Sequence, residues 1–423
     1  MRKVILIITV LIFTALNSKA QGWVQQSSGT FCDLNSVFFT DFNTGYAVGD
    51  SGIARGVILK TSDGGLNWVR QVNTSVGIVS VYFIDANTGY ACGNISGGHS
   101  FYKTTNGGLN WNVSFYSDQN SVYCVYFINS STGFLCGQRP ASKLVSGIIL
   151  RTTDGGVNWV QQVLFFPASY TTIFFTDVLT GYTGGSSPMF KTTNSGTTWF
   201  QVSGPYANSI YFINSLTGYT AGGSNIYKTT TGGNNWSSIF YYQSCTSLMS
   251  VFFANDQTGW ECGCLGNINS TTNGGNNWFL QSSGSTTMLN SLSFISSQTG
   301  WAVGDFGRIL KTTNGGVTLL QPISSIIPKQ YSLSKNYPNP FNPTTNFEFS
   351  IPLSRGVSEG RGVYVNLTIY DVMGREIETL QNGEMKPGTY EVNWNASSYP
   401  SGVYFYKLST GSFTETKKMI LVK

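Results

Sequence analysis

Short apolar stretches recur through residues 22–320, each cut off by Asn, Asp, Thr and Gly. The first unit reads Val37-Phe38-Phe39-Thr40-Asp41, then Thr44-Gly45-Tyr46-Ala47-Val48-Gly49, then Ile58-Leu59-Lys60-Thr61, and closes on Ser62-Asp63-Gly64-Gly65-Leu66-Asn67-Trp68. Each unit predicts four strands: Val-x-Phe innermost, Gly-Tyr-x-x-Gly second, Ile-Leu-Lys-Thr third, and the segment after Trp outermost. The intervening Asn, Asp, Thr and Gly tolerate the dihedrals of tight turns.

The unit repeats. The Thr-Gly-aromatic element returns at Tyr90, Phe134, Tyr182, Tyr219, Trp260 and Trp301. The Gly-rich box returns with Trp111, Trp159, Trp199, Trp236 and Trp278, and a last copy ends in Leu319. Box spacings of 43, 48, 40, 37, 42 and 41 residues match a four-stranded blade, and the composition lacks the helix formers that helical repeats need. One such sheet cannot bury both faces, whereas seven stacked radially can. The fold class is therefore all-β, with a seven-bladed β-propeller over residues 22–320.

Closure is also readable. Gly22-Trp23-Val24-Gln25-Gln26 copies the outer-strand text Asn158-Trp159-Val160-Gln161-Gln162, yet no box precedes it, while the last box has Leu319 for Trp. Trp23 and its strand are expected to complete the final blade. The competing reading is a decayed terminal repeat with an untethered N-terminus.

The box resembles the Asp-box, or BNR, repeat of sialidases and related propellers, Ser/Thr-x-Asp-x-Gly-x-Thr-Trp. Asp63 and Asp154 keep the carboxylate; Asn106, Asn194, Thr231, Asn273 and Asn314 replace it. All seven are read as hairpin clasps, because short polar side chains accept hydrogen bonds from their own turn amides. Five copies without a carboxylate argue against calcium. The strings Gly-Tyr-Ala-Val-Gly and Ile-Leu-Lys-Thr also resemble the photosystem II stability and assembly factor propellers, a likeness that implies fold more than activity.

Composition shifts after residue 320, where eight of the twelve Pro lie. Residues 321–330 read as a linker and 331–423 as a second domain, an immunoglobulin-like β-sandwich on the evidence of strands such as Tyr364-Val365-Asn366-Leu367-Thr368-Ile369-Tyr370. The strings Asn336-Tyr337-Pro338-Asn339-Pro340-Phe341-Asn342-Pro343, Ile369-Tyr370-Asp371-Val372-Met373-Gly374-Arg375 and Pro400-Ser401-Gly402-Val403-Tyr404 resemble the type A sorting domain of the type IX secretion system. That resemblance implies passage through the periplasm, recognition of residues 331–423 by an outer-membrane translocon, and a product released or attached at the cell surface.

The leader agrees. Arg2 and Lys3, the apolar run Val4–Leu16 and Ser18-Lys19-Ala20 form a signal peptide over residues 1–20. No later segment reaches ~18 apolar residues, so no transmembrane helix is expected in the mature chain. Without the leader's Arg2, Lys3 and Lys19 the net charge falls from +5 to +2, with 21 basic against 19 acidic residues. That is no nucleic-acid footprint.

Catalytic groups in a repeat protein should break the repeat. The propeller's Arg55, Arg70, Arg139, Arg151 and Arg308 are too few and too scattered for the carboxylate clamp of a sialidase. Two equivalent loops, Val48-Gly49-Asp50-Ser51-Gly52 and Val303-Gly304-Asp305-Phe306-Gly307, offer Asp50 and Asp305 as an acid–base pair for a glycosidase, or simply as turn residues. His99, the only His, is read as a lone exposed residue in a Gly-Ser loop. No metal cluster and no cofactor is expected. Of seven Cys, Cys92, Cys136 and Cys262 share one repeat position and read as small buried residues, while Cys245 and Cys264 flank a hairpin and are a disulfide candidate. The aromatic loops Phe115-Tyr116, Phe165-Phe166 and Tyr241-Tyr242 are the candidates for binding a glycan or a protein. A non-enzymatic binding propeller is the favoured reading. The alternatives are a secreted Asp-box glycoside hydrolase and an envelope assembly or scaffolding factor.

Overall fold

The computed structural model describes residues 22–51, 56–140, 145–165, 168–186, 188–243, 245–316, 321–324, 327–353, 363–385, 387–396 and 399–423. The expected signal peptide, Phe166 and Leu319 lie outside them.

Every sheet among the described residues has four strands. Blade 1 is Asp33–Phe39, Gly45–Asp50, Gly56–Thr61 and Val69–Thr74, paired antiparallel in chain order. Five more blades repeat that order, from the inner strands Gly77–Phe83, Ser121–Phe127, Tyr170–Phe175, Ser209–Phe212 and Leu248–Phe253 outward. The seventh has Leu289–Phe294, Gly300–Gly304 and Arg308–Thr312, and its outer strand is Val24–Gln26 from the start of the chain. The N-terminal strand closes the ring.

The core lies between blades. Alternate inner-strand residues such as Val37 and Phe39 are buried there, and each Phe meets the box Trp of its own blade edge-on. Phe39–Trp68 (5.9 Å, 88°), Phe83–Trp111 (5.9 Å, 89°) and Phe253–Trp278 (5.9 Å, 89°) show the geometry. In blade 7 Trp23 supplies it against Phe294 (5.8 Å, 88°). This edge-to-face arrangement is what the ring quadrupole favours.

Hydroxyls stitch the inner strands together. Ser36 Oγ accepts from Val81 N–H (3.3 Å), Ser80 from Val125 (3.2 Å), Ser209 from Val251 (3.2 Å) and Ser250 from Leu292 (3.2 Å). Ser291 then accepts from Val37 of blade 1 (3.3 Å), so the belt is continuous across the closure.

The tail is two further four-stranded sheets sharing one buried core that includes Phe347, Phe349, Val365, Leu367, Trp394 and Tyr406. The expected linker needs correcting. Gln321–Ser324 pairs with Gly388–Asn395 as an edge strand of the tail, the kind of strand to which a proline such as Pro322 is confined within a sheet. The separated tail motifs converge: Phe341 N–H donates to Ile420 O (3.0 Å) and Val422 N–H to Phe341 O (3.0 Å), tying the Asn-Pro string to the last strand, Thr414–Leu421.

Candidate functional site

Register separates the two ends of the ring. Asp33 pairs with Asp50, Asp50 with Gly56 and Gly56 with Thr74, so inter-blade turns and second-to-third-strand turns share one face. The boxes occupy the other.

On the box face the seven predicted residues clasp their turns. Asp63 Oδ1 accepts from Asn67 N–H (2.9 Å) and Oδ2 from Asn67 Nδ2 (2.8 Å); Asp154 repeats this with Asn158 (2.9 and 2.8 Å). These amide bonds hold both carboxyls down at about 2. Asn106, Asn194, Thr231 and Asn273 accept the equivalent amide at 2.9–3.1 Å, and Asn314 accepts from Thr312 Oγ1 (2.9 Å). Lys60, Lys191 and Lys228 add bonds to the next blade's box carbonyl, at 2.7, 2.9 and 2.7 Å.

Between the faces, Phe38, Tyr82, Tyr126, Phe174, Tyr211 and Phe252 form a chain of ring contacts, 4.6–6.0 Å between centroids, one from each of six inner strands. Ser293 holds the seventh position, its Oγ accepting from Phe39 N–H (3.1 Å).

The turn face carries the rest. Asp50 Oδ2 accepts from Asn35 Nδ2 (3.2 Å), which also donates to Ile78 O of the next blade (3.0 Å). Asp305 Oδ1 accepts from Asn290 Nδ2 (3.1 Å), which likewise donates to Leu34 O (3.1 Å). The two candidates thus sit on adjacent blades, each beside an Asn that bridges to the next blade. Burial raises the Asp305 carboxyl, with the Asp33 charge adding to it and Asn290 opposing.

His99 needs correcting. It lies on the strand Gly98–Thr104, fully buried, its ring stacked on Tyr116 (4.8 Å, 13°) and its Nδ1 3.1 Å from Asp118. Burial lowers its pKa, with Asp118 opposing. Tyr116 is accordingly packed, and its hydroxyl donates to Gly156 O (3.1 Å). Tyr242 likewise packs on Phe240 (6.1 Å). Phe115 and Tyr241 are exposed, and Phe165 ends the strand Val160–Phe165. Cys245 and Cys264 are disulfide-bonded, Cα atoms 5.8 Å apart, and Cys92, Cys136 and Cys262 are buried free thiols.

Two features escaped the sequence reading. One is Glu261, fully buried in the second strand of blade 6, where the register puts Ala47, Ala91, Leu135, Thr183, Thr220 and Ala302 in the other blades. Asn267 Nδ2 (2.8 Å) and Asn269 Nδ2 donate to its Oε1, Oε2 has no hydrogen-bond partner among the described residues, and burial pushes the carboxyl up to about 8. A lone acid at a small or apolar repeat position was the available signal. The other is a set of exposed apolar turn tips: Phe31 (89% exposed), Phe306 (68%) and Leu265 (64%). Phe306 and Leu265 both hold φ +58, a left-handed conformation that costs a non-glycine residue roughly 1–2 kcal/mol.

Among the described residues no group of three or more His, Cys, Asp or Glu could hold a metal, and no helix is long and apolar enough to cross a membrane.

Comparison with known proteins addresses both halves. Residues 335–423 match the family model described as a secretion system C-terminal sorting domain. No curated protein matches the chain. Among solved structures, YCF48 bound to D1 peptide is 17% identical with a TM-score of 0.56, over 70% of this chain and 98% of that one. YCF48 from Cyanidioschyzon merolae is 19% identical with a TM-score of 0.56, over 69% and 98%. The WD40 β-propeller domain of Doa1 is 10% identical with a TM-score of 0.53, over 68% and 96%. At these identities the likeness is one of fold. The chain is an all-β propeller joined to a secretion-system C-terminal sorting domain, which directs it by the type IX route to a secreted or cell-surface location.

Proposed function

We propose that this protein is a non-enzymatic propeller that binds a protein or glycan outside the cell through its turn face. The observation that carries the reading is the exposure of Phe31, Phe306 and Leu265 on that face, two of them at left-handed turn tips that hold their side chains out to solvent. The Asp-box residues serve their own turns, so the repeat's polar signature leaves little for chemistry. The solved YCF48 carries a D1 peptide, which makes peptide recognition a use this fold supports.

One observation favours a second reading, a glycoside hydrolase. Burial raises the Asp305 carboxyl, with the Asp33 charge adding to it, the direction that the acid of an acid–base pair requires. An envelope scaffolding role is the third. A glycan array probed with the mature chain, with a polysaccharide hydrolysis assay alongside, separates them. Bound glycan without turnover supports the first reading. Turnover abolished by D305N replaces it with the second, and co-purification with an envelope complex replaces it with the third.

A further inference from the structure

The closure of the ring brings two turns together on the turn face. Phe306 N–H donates to Asp33 Oδ1 (2.8 Å), and Gly307 N–H donates to Cys32 O (2.8 Å), so the blade 7 tip lies against residues 31–33. Two exposed rings, Phe31 and Phe306, therefore belong to the same two adjoining turns as two carboxylates, Asp33 and Asp305.

Neither carboxylate is paired with a cation among the described residues. Arg308, the nearest in sequence to Asp305, turns outward and donates to Gln25 of the outer strand. The corner thus combines partly desolvated, mutually repelling negative charge with aromatic faces, and both attract an organic cation. A neutral sugar would satisfy the rings and leave the charge uncompensated. Phe306 is also costly for the fold. Blade 6 makes the same three-residue connection with Leu265 at φ +58, so both turns hold a non-glycine side chain at a left-handed position that a glycine would occupy without cost.

We propose that Phe31, Asp33, Asp305 and Phe306 form a docking corner for the lysine or arginine side chains of a basic polypeptide. This rests on the binding reading above and specifies its partner.

The test is fluorescence anisotropy of the full mature chain with fluorescein-labelled hexa-arginine, hexa-lysine, hexaglutamate and a neutral Gly-Ser hexapeptide. The two cationic peptides should bind, more weakly at 300 than at 50 mM salt, as screening requires. D33N/D305N should weaken binding about tenfold or more, because a charge-assisted contact is lost. F306G should weaken it about fivefold through the lost cation–π contact. Its urea midpoint should not fall, since glycine relieves the turn. D118N, on an acid committed to His99, should change nothing. Equal binding of hexaglutamate, or cationic binding untouched by D33N/D305N and F306G, overturns the corner. Failure of both cationic peptides while the glycan array yields a ligand removes the corner and leaves the binding reading standing; failure of both screens removes both.

Discussion

Glu261 is the residue whose surroundings contrast most with its chemistry. Burial disfavours its charged form, and the hydrogen bonds that Asn269 and Asn267 donate to one oxygen oppose this only in part, so the folded chain keeps it protonated to about 8 from an ordinary 4.5. Below 4.5 both folded and unfolded chains hold the proton and the group is neutral to stability. Between 4.5 and 8 only the unfolded chain releases it, so stability falls through that window by an amount on the order of a few kcal/mol and then levels. Glu261→Gln keeps the shape of the protonated acid and should flatten the slope, measured as urea midpoints from pH 4.5 to 8.5. Parallel curves for the two proteins would refute the assignment. Asp63 and Asp154, held down at about 2, lose their contribution as pH falls from 3.8 and do not overlap this window. A second residue-scale prediction concerns the box itself. Thr61, Thr104, Thr152, Thr192, Thr229, Thr271 and Thr312 are all buried, and each hydroxyl accepts from a glycine amide four residues on. Asp63 is replaceable by the Asn used in other copies. D63N should therefore leave the urea midpoint nearly unchanged, and T61V should cost about 1–2 kcal/mol by stranding the Gly65 amide. Equal costs would refute the division of labour.

At the scale of elements, the N-terminal strand has the largest consequence. Trp23 is buried, meets Phe294 edge-on and donates from Nε1 to Gln281 Oε1 (2.8 Å) in blade 6. It therefore joins the first strand of the chain to the last two blades. Trp68 makes the same edge contact with Phe39 without a hydrogen bond from its Nε1 among the described residues, and it is less buried. W23A should cost roughly 3–5 kcal/mol and more than W68A, by cavity formation plus loss of the closing contact. A smaller loss for W23A in matched urea titrations would mean that the ring does not depend on its clasp. The strand's role was legible because Trp23-Val24-Gln25-Gln26 repeats an outer strand verbatim, and the blades were legible because each carries the same box. Glu261 and His99 were not. A repeat reading compares positions, and it cannot see that Glu261 faces two Asn or that His99 pairs with a strand across its hairpin. Gln321–Ser324 was missed for a related reason: an edge strand gets its identity from the neighbour it joins, here Gly388–Asn395, nearly 70 residues away.

At the scale of the whole molecule, the tail has two ends that must both be present for one sandwich to form. The Asn-Pro string at its start and the last strand at its end hold each other: Phe341 is buried, exchanges backbone hydrogen bonds with Ile420 and Val422, and Asn339 Oδ1 accepts from Ile420 N–H (3.0 Å). Met419 and Leu421 from that strand enter the same core as Phe347 and Trp394. Removing residues 414–423 would expose the long flank of Gly402–Thr410, open the core and leave the Asn-Pro string without its partner. The propeller closes through Val24–Gln26 and, among the described residues, takes no strand from the tail, so its own cooperative unfolding should survive the truncation. The truncated protein should therefore lose export and collect in the periplasm with a folded propeller. Immunoblots of periplasm, cell surface and medium, with a thermal melt of the recovered protein, measure both halves of that statement. Normal amounts of truncated protein at the surface would mean that the address is read from the remaining strands without the sandwich. A propeller that melts together with the tail would mean that the two units depend on each other for folding.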